Sequence, residues 1–186
     1  GNRDTIYSFG VFDLGKSDLT ITLPDSQGNY MTLMPISQNH DIYRGLNAPG
    51  TYTFKQSEVG TRYMVFVVRV LMDPNDPKDM DRAHKLQDGI VVQQADKGDM
   101  SGLEDWDEES MLNMRKAYNI LGSAASSSAN FFGVKCDRSN LDASMGVAVG
   151  WGGMQRKDAL YLPTQVEKND GKTAYTITVP KEVPVD

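Results

Sequence analysis

Two hydrophobic periods divide the chain. Over residues 1–72 apolar side chains recur at every second position, the period of a half-buried strand. "TIYSFGVF" puts Ile6, Ser8 and Gly10 on one face and Tyr7, Phe9 and Val11 on the other. "DLTITLP" sets Leu19, Ile21 and Leu23 on a single face, with Thr20 and Thr22 opposite. "YMTLMPI" predicts a further strand, in which Pro35, lacking an amide proton, marks an edge or a bulge. "TYTFKQ" aligns Tyr52 with Phe54. "TRYMVFVVRVLM" is nearly all apolar and β-branched, which predicts a central strand covered on both faces. The turns at "DSQGN" and "NAPG" are short, and short turns favour antiparallel neighbours.

At Asp73 the period becomes helical. Asp76 is placed to cap a helix that has Pro77 at its first position and acids in its first turn. Met80, Ala83, Leu86 or Gln87, Ile90 and Val91 follow at helical spacing, and Gly98 ends the segment. "WDEESM" opens a second helix, with Asp107 as cap and Trp106 stapled onto Met111. Its expected buried stripe is Met111, Met114, Tyr118 and Leu121, with Gly122 as the stop. "NLDASMGVAVGWGG" reads as a short, glycine-weakened helix. "ALYLPTQVEKNDGKTAYTITVP" reads as a closing hairpin about Asp170-Gly171, with Tyr175, Ile177 and Val179 on one face. The pattern predicts an α+β domain: an antiparallel β-sheet of five or more strands, a two-to-three-helix segment and a closing β-hairpin.

Composition narrows function mainly by exclusion. The 186 residues fit one domain. A net charge of −6 disfavours nucleic acid and anionic membrane partners. The apolar run "YMVFVVRVLM" is broken by Arg69 and is too short to span a bilayer. The single cysteine, Cys136, forms no intrachain disulfide and reads as an inert thiol. There is no phosphate-binding glycine loop and no Gly-x-Ser-x-Gly elbow. Two histidines and one cysteine build no His-rich zinc site. "DPNDPKDMD" lacks the glycine of a calcium loop and reads as a helix cap. No metal and no cofactor is therefore expected.

Four constellations carry chemistry. Asn2, Arg3, Asp4, Thr5 and Tyr7 form a dense polar start that either braces a strand or holds a polar ligand. This start reads as an interior piece of a larger scaffold, anchored by charge pairing. His40, in "SQNHDIYRG", is either an exposed loop residue or a proton carrier, while His84 reads as a helix-flank residue. Arg69 needs a partner within an apolar strand; Asp4, Asp13 and Asp73 are the candidates, with anion binding as the second role. Trp151, between glycines in "GWGG", is either a core residue or a stacking platform for a sugar or aromatic ligand.

"NRDTIYS", "LPDSQGNYMTL", "PGTYTF", "GTRYMVFVVR", "DPNDPKDMDRAHKLQD", "GWGG", "KDALYL" and "EKNDGKTAYTITVPKEVPVD" together resemble, in order, the family called domain of unknown function 1254, or DUF1254. The tail resembles the junction with its usual companion, DUF1214. Asn2, Arg3, Asp4, Thr5 and Tyr7 match the family signature. His40 falls where members often carry Gln-Asp-His; Asn39 here weakens the case for a carboxylate-tuned imidazole. The resemblance implies an antiparallel β-rich fold with a helical segment, and a chain that is a fragment of a longer two-domain protein. It also implies a bacterial, periplasmic or secreted setting without an established activity. The expected function is a small-ligand binding module, with a neutral or cationic, glycan-like ligand held by Asn2, Arg3, Asp4, Tyr7, His40, Arg69 and Trp151. The alternative is a hydrolase or lyase with His40 as general base, oriented by Asp4 or Asp41. A homodimer through exposed strand edges is expected as well.

Overall fold

A computed structural model describes residues 3–42, 46–47, 49–134, 138–155, 158–159 and 166–178. Among them are six strands and four helices: β1 (Thr5–Asp13), β2 (Leu19–Leu23), β3 (Met31–Ser37), β4 (Gly50–Phe54), α1 (Gln56–Val59), β5 (Tyr63–Leu71), α2 (Pro77–Asp88), β6 (Val91–Gln94), α3 (Glu108–Ala124) and α4 (Asn140–Val149). The α+β class and the antiparallel pairing hold. The single sheet does not: the strands form two three-stranded sheets, ordered β1-β5-β3 and β4-β2-β6. Period-two alternation tells which face of a strand is buried, but not which strands are neighbours. Here the buried faces of both sheets share one core. Leu19, Ile21, Leu23 and Phe54 from one sheet meet Met31, Leu33, Phe66, Val68 and Val70 from the other. Each such side chain contributes about 1.5–3 kcal/mol when fully buried.

β5 is central, as its composition demands. One face joins the shared core, and the other carries a second cluster of Met34, Ile36, Ile42, Val67 and Met154. Pro35 lies in β3, an edge strand, where its missing donor is tolerated. On this outer face the register aligns Tyr7 with Arg69 and Thr32, Phe9 with Val67 and Met34, and Val11 with Val65 and Ile36.

The expected capping of α2 is present: Asp76 accepts from the Lys78 amide at 2.9 Å, and Pro77 opens the helix. The helix ends at Asp88, however, and Val91–Gln94 is a strand. Gly89 interrupts the helix, and the β-branched Val91 and Val92 fit the edge of a sheet, where they pair with β2.

α3 is capped by Asp107, which accepts from the Ser110 amide at 2.8 Å. Its apolar stripe corrects the expectation of burial. No side chain of α3 is buried, and Met111, Met114 and Leu121 are about half exposed. Trp106 is 71% exposed. The main neighbour of α3 is α4. Gly122 does not stop the helix; it lets α4 approach, since a Cβ there would lie 3.3 Å from Val149. The closing hairpin is not formed by residues 166–178, which contain no strand, although Asp170 closes the expected turn by accepting from the Lys172 and Thr173 amides. Residues 160–165, Val179 and Cys136 lie outside the described residues. No helix among the described residues is long and apolar enough to cross a membrane.

Candidate functional site

The residues singled out from sequence divide among three clefts. Asn2 lies outside the described residues. Tyr7 and Arg69 are cross-strand neighbours on the outer face of the first sheet, and Trp151, just after α4, reaches the same place. With Phe9, Met34 and Val67 they line a mostly apolar cleft of about 590 Å³. The two glycines after Trp151 are needed for its backbone path, whereas Gly150 is extended and has open space at its Cβ position. Gly152 adopts φ of 75°, in the left-handed region, and a Cβ on Gly153 would meet the Phe132 ring at 2.5 Å.

Arg69 has none of the expected carboxylate partners. Its Nη2 donates to the Tyr30 hydroxyl at 2.8 Å and contacts Met154 Sδ at 2.6 Å. The guanidinium also lies 5.9 Å from the Tyr30 ring centroid. A half-buried arginine meets its hydration need by reaching the rim, so no buried ion pair is required. Asp13 belongs instead to Arg62, which donates to it through Nε at 3.0 Å and Nη2 at 2.7 Å. The Arg62 hydrogen bond holds the Asp13 carboxyl well below the usual carboxylate range.

His40 borders a second cleft, also about 590 Å³, between Trp151 and the helices α3 and α4. Its φ of 62° places a non-glycine residue in the left-handed region. The ring lies edge-on to Trp151, and its Nδ1 is buried without a partner among the described residues. Burial, and then the charge of Arg138, lower its pKa below the ordinary 6.5, with Asp41 acting in the opposite direction. His40 is therefore largely neutral at pH 7. Of the two carboxylates expected to orient it, Asp41 accepts from Arg138 at 2.8 Å, and Asp4 borders a different cleft. His84 is exposed on α2.

Arg3 and Asp4 line the third cleft, about 690 Å³, with Asn29, Asp73, Asp79 and Arg82. The Asp4 carbonyl accepts from the Met72 amide at 2.9 Å, which docks the start of β1 on the end of β5. Arg82 donates through Nε to Asp79 at 2.6 Å and through Nη2 to the Leu71 carbonyl at 2.8 Å; its Nη1 is buried without a partner among the described residues. The Arg82 hydrogen bond lowers the pKa of Asp79. Sequence reading missed Arg82. Its only signal was an i,i+3 spacing from Asp79 inside a segment already explained as a helix start. Among the described residues no three His, Cys, Asp or Glu side chains are grouped to hold a metal ion.

A family model, described as a protein of unknown function (DUF1254), matches residues 1–94. No curated protein matches the chain. Among solved structures, the crystal structure of the VPA0106 protein from Vibrio parahaemolyticus is similar, with a TM-score of 0.65 at 12% identity. The alignment covers 84% of this chain and 59% of that one, so this chain spans less than two thirds of its length. At that identity the likeness shows the fold alone. The matched residues include all six strands and α2, whereas α3, α4 and Trp151 lie beyond them. The chain belongs to the DUF1254 family, whose members are described as proteins of unknown function.

Proposed function

We propose that the chain is a small-ligand binding module whose ligand stacks on Trp151 in the cleft shared with Tyr7 and Arg69. The observation that carries this reading is the convergence of these three side chains, from β1, β5 and the segment after α4, on one mostly apolar cleft. Trp151 is 50% exposed, so much of its ring is available for contact. Nε and Nη1 of Arg69 have no protein partner among the described residues and can donate to a ligand oxygen. A flat apolar face beside hydrogen-bond donors suits a neutral glycan: its C–H face stacks and its hydroxyls accept. The cation on Arg69 disfavours a cationic ligand. Saturation-transfer NMR with a panel of neutral oligosaccharides tests this. The expected result is binding that weakens about tenfold in Trp151→Ala, the loss of one aromatic contact. No binding by the wild type, or binding indifferent to Trp151→Ala, overturns it.

We infer also that a second copy pairs along β1. Met72 donates to the Asp4 carbonyl and Leu14 to the Arg62 carbonyl, so even-numbered residues of β1 turn their backbone toward β5. Odd-numbered residues turn theirs to the opposite edge. Gln87 donates to the Tyr7 carbonyl at 3.0 Å and Gln94 to the Asp13 carbonyl at 2.6 Å, closing both ends of that edge. Between them Phe9 and Val11 carry no charge or proline to deter another strand, and Phe9 is 76% exposed. Sedimentation should show a dimer that Phe9→Lys dissociates; a monomer at high concentration refutes the pairing.

We take the chain to be one domain of a longer two-domain protein. The support is α3, a helix of 17 residues with no buried side chain, a surface that further chain would cover. Amide exchange in α3 should slow in the parent polypeptide; equal exchange with and without the flanking chain counts against this.

A further inference from the structure

We propose that the cleft between α3 and α4 binds a free single-chain fatty acid, its acyl chain laid along the methionines of α3 and its carboxylate on Arg115. This goes beyond the glycan reading: the two clefts share Trp151 and no other lining residue. Trp106, Met111, Met114 and Trp151 line the cleft, and each is about half exposed or more. Single exposed apolar residues are ordinary, but four on one concave surface mark a binding site. Val147 and Ala148 contribute the α4 wall. Met111 and Met114 stand three residues apart on α3, which makes them neighbours on one helix face. Their unbranched thioether side chains adapt to a flexible partner. From Met111 to Tyr118 the lining follows α3 for about 10 Å, so the cleft is elongated, as an acyl chain requires. Its volume of about 590 Å³ suits a small ligand.

The charge of the lining selects the head group. Among the described residues the lining holds Arg115 and no aspartate or glutamate. His40, the other basic group there, is largely neutral at pH 7. Arg115 donates through Nε to the Ala148 carbonyl at 3.2 Å, which fixes its guanidinium beside α4. Its Nη1 and Nη2 have no partner among the described residues, and the residue is exposed. On its own helix the residues three and four positions away are Met111, Leu112, Tyr118 and Asn119, none of them acidic. A carboxylate matches such a donor fork. One cation without a counter-charge suits one negative charge, and an apolar body with a single carboxylate meets both demands. The chain as a whole carries −6, which opposes docking on an anionic membrane and favours the free acid. Leu112, Ile120 and Leu121 do not line the cleft, which leaves that part of α3 for further chain to cover.

Both tryptophans of the chain line the cleft, so their emission reports its occupancy. The test titrates the whole chain at pH 7 with octanoate, decanoate and decanol, each below its micellar or solubility limit. Decanoate should give a saturable change, and octanoate, with two fewer methylenes, should bind about tenfold more weakly. Decanol should bind more weakly than decanoate. Arg115→Gln, an exposed substitution, should weaken decanoate binding about fivefold and leave decanol binding unchanged. Met114→Glu sets an acid in the lining and should abolish decanoate binding, with circular dichroism confirming the fold. No saturable response to decanoate, equal binding of decanol and decanoate, or a decanoate response unchanged by Arg115→Gln overturns the proposal. So does capture by phosphatidylglycerol vesicles without a response to free decanoate. Arg115 lies outside the cleft of Tyr7 and Arg69, so Arg115→Gln should leave oligosaccharide binding unchanged, and failure here is separable from failure of the glycan reading.

Discussion

The indole of Trp151 stands edge-on to the imidazole of His40, with ring centroids 6.2 Å apart and planes at 88°. This contact makes the tryptophan a reporter of the histidine. Protonating His40 places a cation beside the indole. In a Trp106→Phe background, which leaves Trp151 as the sole indole, emission should change with a midpoint below 6.5, and His40→Gln should abolish the change. The sign for stability follows. The folded pKa lies below the unfolded 6.5, so the unfolded chain binds the proton more readily. The His40 contribution is intact above 6.5 and is lost as pH falls through the window below it. A midpoint at or above 6.5 contradicts burial as the dominant cause.

Arg138 has a side chain only 2% exposed, and it ties the His40 turn to the segment before α4. It donates to Asp41 at 2.8 Å, to the His40 carbonyl at 2.9 Å and to the Phe131 carbonyl at 3.0 Å. Asp41→Asn leaves a buried cation without its counter-charge and should cost about 3–5 kcal/mol in urea unfolding. Adding Arg138→Met should recover part of that loss, because the stranded charge is then gone. Since Asp41 raises the pKa of His40, Asp41→Asn should also move the fluorescence midpoint further down. An unchanged urea midpoint refutes this account.

Asp13 is fully buried, and its carboxylate accepts from the Gly15 and Asp99 amides as well as from Arg62. Its folded pKa lies below the ordinary 3.8, so its stabilisation is present above 3.8 and is lost as pH falls beneath that value. Thermal unfolding followed from pH 5 to pH 2 should show a falling melting temperature. Asp13→Asn should start lower, and its curve should be flatter. Parallel curves for the two proteins contradict the role of Arg62 as the main cause.

What was legible in the amino-acid order was whatever a few neighbouring residues decide. Asp76 and Asp107 cap their helices because an Asx side chain reaches an amide two or three residues on. Leu19, Ile21 and Leu23 are buried together, with Thr20 and Thr22 turned to the opposite face, because side chains alternate along any strand. Pro35 at an edge and β5 at the centre follow from donor loss and from apolar composition. Assembly decided the rest. Val91 and Val92 left a helical pattern because β2 offered an edge, and the stripe of α3 stayed exposed because among the described elements only α4 packs closely on it. Arg69 met Tyr30 and Met154, while Asp13 went to Arg62, since partners far apart in the chain are chosen by how two sheets stack. The gathering of Tyr7, Arg69 and Trp151 on one cleft, and of Arg3 with Arg82 on another, has the same origin: local periodicity orients a side chain, but only packing selects what it faces.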